Sequence, residues 1–369
     1  MLDARLTIVT FLTLLWLPLA VSLLTPDETR SLSEQRKLAQ LPKRGADWTR
    51  SFERYYDDRL GFRNDLIRAW AWLHIEGLGV SPSDSLLVGK QGWFFFGDEA
   101  AVAQYRGTAR FERAELLSWG RVLAERQRWL KERGIPYLLV LVPNKHRLYG
   151  QYMPDSLPKV SERSQLDDLV DYLRAESDVW LLDLRGTLED AARQNRVYHK
   201  TDTHWNDVGA YAAYRAILQK LAQKLPVFED QAPVAVRSFE RTTPGLGLPR
   251  IVGLSNAYPE RSFDLAVAEP RGGVPPKRRA RWEDRVRRQL PFALGTGDER
   301  LPTAVIFRDS FANALVPYLS ESFSRIVYVW EFDLIPQLVE AERPDVVIQE
   351  IAERFLGRTP RGLDRPPPQ

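Results

Sequence analysis

The stretch KTDTHWNDVGAYAAY, Lys200 to Tyr214, holds one of only four histidines in the chain and places it two residues after an acid. Asp202-x-His204 falls in a polar turn before an apolar helical run, not inside a periodic apolar segment where a structural histidine would sit. An acid that holds an imidazole in one tautomer makes a general base, so the pair reads as catalytic and requires a nucleophile. The best hydroxyl is Ser310, in TAVIFRDSFANALVPYL. There Thr303 to Phe307 reads as a strand, Arg308-Asp309-Ser310 as a turn and Phe311 to Leu319 as a helix. A serine where a strand's C-terminal end meets a helix has backbone N–H groups and a favourable dipole beside it, and the Ser310 N–H is the expected oxyanion donor. Capping of that helix by Asp309 or Ser310 is the competing reading. Two such stretches at strand-to-helix junctions of one domain favour catalysis.

The elements that must carry these residues alternate from about Phe111 onward. Glu115 to Arg133 is expected as a helix stopped by Gly134, IPYLLVLVP as a buried strand, Ser164 to Ala175 as a helix and DVWLLDLR as another strand. Asn206 to Leu225 is a further helix, with Asn206 as its cap, and TAVIF, RIVYVWE and DVVIQEIA are continuous apolar strands. Such runs separated by helices indicate a doubly wound, mainly parallel α/β sheet with helices on both faces. Between 226 and 299 the pattern fails, and this Pro/Arg-rich stretch reads as a loop or insertion, with basic residues clustered from Lys277 to Arg288. Ahead of the domain, GKQGWFFF suggests an aromatic hairpin. Arg63 to Glu76 repeats Leu66, Ile67, Trp70 and Leu73 at helical spacing, which predicts a helix packed on the main body by that stripe. His74 on it is expected to be an interfacial or core-edge residue. The segments are therefore 1–26, 27–100 as a polar stalk and helical lead-in, 101–357 as the α/β domain, and a disordered tail over 358–369.

With 44% hydrophobic and 27% charged residues, the 369-residue chain is ordinary globular material. Its formal charge of +3 demands no nucleic acid. The absence of cysteine excludes disulfides, thiolate metal sites and a cysteine nucleophile. Leu6 to Thr25 carries no charge and is about the 20 residues that span a bilayer. Arg5 before it favours a cytoplasmic N-terminus with everything downstream exported. Cleavage after Ala20-Val21-Ser22 is the rival, disfavoured because the apolar run is long for a signal peptide.

RDSF is similar to the GDS nucleophile block of SGNH hydrolases, and TDTHWND.GAY together with RDSF resembles the alginate O-acetyltransferase family of the AlgJ and AlgX type. The resemblance continues through YYDDRLGFRNDLI, GKQGWFFF, VPNKHRLY and DVVIQEIAER, nearly the whole chain after the apolar segment. It implies an SGNH-hydrolase-like fold and a triad of Asp202, His204 and Ser310. Arg308 stands where the general block has glycine, and the order Asp, His, Ser is that of the AlgJ and AlgX arrangement. The resemblance further implies an acetyl donor delivered by a multipass membrane acyltransferase, a polysaccharide acceptor, and an inner-membrane protein with its catalytic domain in the periplasm.

The leading reading is an O-acetyltransferase working through an acetyl-serine. Lys145 and Tyr149 in PNKHRLY, with His146 between them, lie at the end of a predicted strand on the same sheet edge and are expected, with Trp205 and Arg308, to face the acceptor. A polar loop is the alternative for the first group, and core packing for Trp205. No phosphate-binding glycine loop or metal-ligand spacing is present, so no cofactor is expected. An acetylesterase with the same triad and a non-catalytic polysaccharide-binding subunit remain open.

Overall fold

The computed structural model describes residues 2–24, 38–43, 45, 47–271 and 289–363. The expected stalk falls partly outside these residues; the basic stretch Lys277 to Arg288 and residues 364–369 fall wholly outside. The strands in chain order are β1 (Leu86–Val88), β2 (Phe94–Phe96), β3 (Tyr137–Val142), β4 (Leu181–Asp183), β5 (Val236–Thr243), β6 (Glu260–Val267), β7 (Phe292–Leu294), β8 (Thr303–Phe307), β9 (Arg325–Val329) and β10 (Val346–Ala352). The helices are α1 (Leu2–Leu24), α2 (Trp48–Arg59), α3 (Arg63–Trp72), α4 (Glu99–Arg106), α5 (Arg113–Lys131), α6 (Lys145–Leu148), α7 (Gln165–Glu176), α8 (Arg185–Ala192), α9 (Asp207–Ala222), α10 (Gly247–Ile251), α11 (Val316–Leu319) and α12 (Pro336–Glu342).

β3 and β10 are buried at every residue, as the runs YLLVLV and VVIQEIA require: a central strand of a two-sided sheet meets water on neither face. The sheet order is β4-β3-β10-β8-β9-β7, parallel throughout except that β7 runs antiparallel to β9. Alternate residues feed opposite cores. Leu138, Val140 and Ile306 join Ala210, Tyr214 and Ile217 of α9 on one face. Leu139, Leu141 and Val305 join Leu123 of α5, Leu169 of α7 and Val339 of α12 on the other. The strands' C-terminal ends thus deliver Asn144–Lys145 after β3, Arg308–Ser310 after β8 and Glu353–Arg354 after β10 to one edge, the usual ligand edge of an open α/β sheet.

α1 is 23 residues long, and Ala4–Ser22 has a mean hydropathy of 1.8, so it is long and apolar enough to cross a membrane.

Several expectations need correction. The run 311–319 is not one helix but a tight turn over Phe311–Ala314 followed by α11, whose Pro317 cannot supply a helical N–H. The stretch 226–299 contains an antiparallel ribbon of β5 and β6, with α10 between them and β7 beyond. The ribbon was hidden because β5 is exposed along most of its length and the buried positions that open β6 are the polar Glu260 and Ser262. The start of the expected tail is packed: the Arg361 N–H donates to Asp333 at 2.8 Å, and Leu363 lies against the α5-side core. On α3 and the wider helical turn Leu73–Gly77 that continues it, Leu66, Trp70 and Leu73 are exposed, and the buried contacts are made by Ala71 and Ile75.

α9 starts against the segment before the His204 loop, and Gly209 is what permits it. A Cβ there would lie 2.3 Å from the Val197 carbonyl oxygen and 3.0 Å from the Trp205 Cβ. Gly209→Ala is therefore expected to destabilise the fold by about 1–3 kcal/mol, seen as a lower melting temperature; an unchanged melt would contradict this packing.

Candidate active site

The loop carrying Asp202 and His204 is closed at its base like a hairpin. Tyr198 and Trp205 form an antiparallel bridge, the His199 N–H donates to the His204 carbonyl at 3.2 Å, and the Asn206 N–H donates to Val197 at 3.0 Å. The Asn206 side chain then caps α9 by accepting from the Gly209 N–H. Inside the loop the Lys200 carbonyl, bonded by the Phe94 N–H of β2, and the Thr201 carbonyl, bonded by the Leu248 N–H, meet neighbouring backbone, and two buried charges take further polar groups. The Lys145 Nζ sits among the carbonyls of Phe94 (2.5 Å), His199 (2.8 Å), Lys200 (2.9 Å) and Asp202 (2.8 Å), four acceptors that share its three N–H donors. Glu260 accepts from the Lys200 and Thr201 N–H groups and the Thr201 hydroxyl, and pairs with Arg196 at 2.7 Å. Burial pulls Lys145 down to about 7, with the Asp202 and Glu260 charges acting against it. Burial works the other way on Glu260, but His199, Thr201 and Arg196 outweigh it and hold the carboxyl at about 2.

Within this loop the Asp202 Oδ1 accepts from the His204 Nδ1 at 2.6 Å and from the His204 backbone N–H at 3.1 Å. Its Oδ2 accepts from the Gly247 N–H of α10 at 2.9 Å. Burial opposes ionisation of Asp202, yet the His204 ring and these N–H groups hold its carboxyl well below the ordinary range. With Asp202 charged, Nδ1 carries the proton and Nε2 is left as an acceptor. Nε2 lies 2.7 Å from the Ser310 Oγ. The three residues named from the sequence are thus brought into one hydrogen-bonded line. The His204 side chain keeps 34% of its surface exposed, so the line ends at an open surface.

Ser310 is set by its neighbours rather than by a long helix. Asp309 is buried and spans the turn: its Oδ1 accepts from the Phe311 N–H and its Oδ2 from the Ala352 N–H at the end of β10, each at 2.8 Å. Glu350 accepts from the Asp309 N–H at 3.1 Å. Among the described residues the Ser310 N–H donates no hydrogen bond, which leaves it available to an oxyanion. Arg308 adopts no left-handed backbone, so the glycine of related blocks is not required here. Its N–H continues the β8–β9 ladder by donating to Val329.

The residues expected to face an acceptor do not. Lys145 is 1% exposed and spent on the loop carbonyls. The Tyr149 hydroxyl accepts from the Val197 N–H, and the Trp205 indole donates to the Phe311 carbonyl at 2.9 Å, which holds the backbone just after Ser310. Arg308 is 0% exposed; its guanidinium donates to Asn313 and lies 4.7 Å from the Trp330 ring centre. For Lys145, Tyr149 and Trp205 a polar tip was reachable from inside, whereas buried Arg308 hydrogen-bonds through one terminal nitrogen and leaves its Nε and the other unpartnered among the described residues. Sequence reasoning also missed Gly247, Glu260 and Arg354. Arg354 donates to the Thr203 carbonyl at 3.4 Å and covers the Phe311 ring at 5.0 Å, with its Nε unpartnered among the described residues. Its only signal was its place directly after the last strand. Among the described residues no cluster of His, Asp and Glu is arranged to hold a metal.

The carboxyl pair under Ser310 has a pH signature. Burial, then the Asp309 charge, pushes Glu350 well above its ordinary 4.5. The folded chain therefore keeps a proton that the unfolded chain has released, and stability falls as pH rises above 4.5. Glu350→Gln cannot titrate, so its melting temperature should decline less than wild type's from about pH 5 to about pH 9. Parallel declines would show that Glu350 is not the proton holder.

Comparison with known proteins finds relatives in sequence and in fold. A family model described as an SGNH hydrolase-like domain, acetyltransferase AlgX, matches residues 86–256, which include Asp202 and His204 and end before Ser310. A probable alginate O-acetylase AlgJ of Pseudomonas syringae pv. tomato is 28% identical over 255 residues, covering 66% of this chain and 63% of that protein, so the chain spans just under two thirds of this relative's length. One from Pseudomonas putida is 24% identical over 350 residues, covering 89% of this chain and 84% of the relative. Bacillus cereus PatB1 shares the fold with a TM-score of 0.52 at 14% identity, over 73% of this chain and 96% of that one. By these matches the chain is similar to SGNH hydrolase-like acetyltransferases of the AlgJ and AlgX type.

Proposed function

We propose that this chain is an exported, membrane-anchored O-acetyltransferase that moves acetyl groups onto hydroxyls of a cell-surface or secreted polysaccharide. The observation that carries this reading is the line Asp202–His204–Ser310, with 2.6 Å and 2.7 Å between successive partners. The Ser310 Oγ attacks the donor's acetyl carbonyl as His204 Nε2 takes its proton, and Asp202 stabilises the imidazolium. The carbonyl oxygen, now negative, meets the free Ser310 N–H. Collapse expels the donor's leaving group, which takes the proton from His204 and leaves acetyl-Ser310. A sugar hydroxyl then gives its proton to His204 and attacks the acetyl group. The second collapse releases the acetylated sugar and returns the proton to Ser310.

The names of the AlgJ relatives favour a polysaccharide acceptor, and the open position of His204 suits a polymer that enters from the side. In this reading α1 crosses the inner membrane and the domain from 101 onward lies in the periplasm, where the acetyl group must arrive from a multipass membrane acyltransferase. The domain then runs to at least 363, since Leu363 is packed on its core.

Purified full-length protein with p-nitrophenyl acetate and an oligosaccharide tests this. Wild type should give an acetylated sugar and an acetyl-protein mass; Ser310→Ala should give neither. Asp202→Asn, which leaves His204 in the wrong tautomer, should slow transfer on the order of 10⁴-fold. Full activity in Ser310→Ala would remove the mechanism, and free acetate without acetylated sugar would make the protein an esterase.

A further inference from the structure

One apolar face of the lead-in is left uncovered by the described residues. Along α2, Trp48, Phe52 and Tyr56 recur every fourth residue and are 40%, 37% and 38% exposed; along α3 and the turn that continues it, Leu66, Trp70 and Leu73 are 56%, 50% and 53% exposed. Exposed apolar stripes of this kind on two successive helices are costly in water and mark an interaction site. The corner where the two helices meet shows what covers it. The Gly61 N–H there donates to the Pro18 carbonyl at 3.2 Å and to the Ser22 hydroxyl at 2.8 Å. A Cβ on Gly61 would lie 2.4 Å from the Pro18 oxygen, so the corner is pressed onto the last turns of α1. The end of a spanning helix lies at headgroup depth, where tryptophan and tyrosine concentrate. Arg50, Arg54 and Arg68 are exposed on the same helices, and aromatic residues with arginines on the polar side are the composition of helices that lie in a membrane surface.

We propose that α2 and α3 lie in the membrane interface, with this aromatic and aliphatic face among the lipid headgroups, and that they seat the domain against the bilayer. The inference rests on reading α1 as a membrane anchor. The other side of α3 leads to the site: Ala71 and Ile75 pack with Leu248 and Val252 of the α10 segment, whose Gly247 N–H holds Asp202. The triad is thereby coupled to the lipid-facing helix through one packed layer, on the side from which a membrane-delivered acetyl group arrives.

The chain contains no cysteine, so single introduced cysteines carry one spin label each. Full-length Leu12→Cys, Leu66→Cys, Leu73→Cys and Leu117→Cys would be reconstituted into vesicles of phosphatidylethanolamine and phosphatidylglycerol, and label collisions with oxygen, enriched in lipid, compared with those of a water-soluble nickel chelate. Position 12 reports the anchor, and position 117, on exposed α5 surface, reports water. The oxygen-to-nickel ratio at 66 and 73 should exceed that at 117 several-fold, with 12 higher still. A lipid ratio at 12 with water-like ratios at 66 and 73 would overturn the inference and leave the anchor standing. Inaccessibility of 66 and 73 to both probes would assign the face to a second copy of the chain instead. A water-like ratio at 12, or loss of that label by cleavage, would remove the anchor and the inference with it.

Discussion

The Lys145 ammonium, set against four backbone carbonyls, is the interaction on which the rest of the site depends. A loop that must present an acid and an imidazole at a surface cannot also hide its backbone in a sheet, so something else must satisfy it. Lys145 takes the carbonyls and Glu260 takes the N–H groups, one arriving from the end of β3 and the other from β6. Each charge costs much to bury alone; opposed across the same loop, and hydrogen-bonded, they offset that cost and fix its shape. The parallel sheet, the ribbon and the His204 loop are in this way one unit, and displacing any of them moves His204 relative to Ser310.

The nucleophile's side follows the same logic with opposite signs. Asp309 uses both carboxyl oxygens on backbone N–H groups, one on its own turn and one at the end of β10, while Glu350 below it keeps its proton. Trp205 then ties the histidine loop to the Phe311 carbonyl. The two halves of the site, far apart in the chain, meet through buried polar groups that are individually expensive and hydrogen-bonded to one another's backbone.

The sheet was legible because YLLVLV, TAVIF and VVIQEIA are apolar without a break, which only a two-sided sheet explains. Asp202, His204 and Ser310 were legible as residue types in polar turns before helices, and the structure brings them within hydrogen-bonding distance. What stayed hidden was the burial of charge. Lys145 and Arg308 stand in polar stretches, and nothing in their neighbours shows that their tips end on carbonyls and an amide inside the fold. β6 was missed for a related reason, since its first inward residues are Glu260 and Ser262 rather than valine or leucine. On α3 a helical stripe was read correctly as a helix and wrongly as its core face, because periodicity reports that a face is apolar and not what covers it.

The most direct test of the account is the rate at which Ser310 is acetylated by p-nitrophenyl acetate in a single turnover, compared between wild type and Lys145→Met, with cooperative melting as the check that the variant is folded. If the buried ammonium sets the loop, the folded variant should acylate roughly 100-fold more slowly, the scale expected when a catalytic group is misplaced by about 1 Å. Acylation at the wild-type rate in a folded Lys145→Met protein would contradict the account, because His204 would then reach Ser310 without the charge that holds its loop.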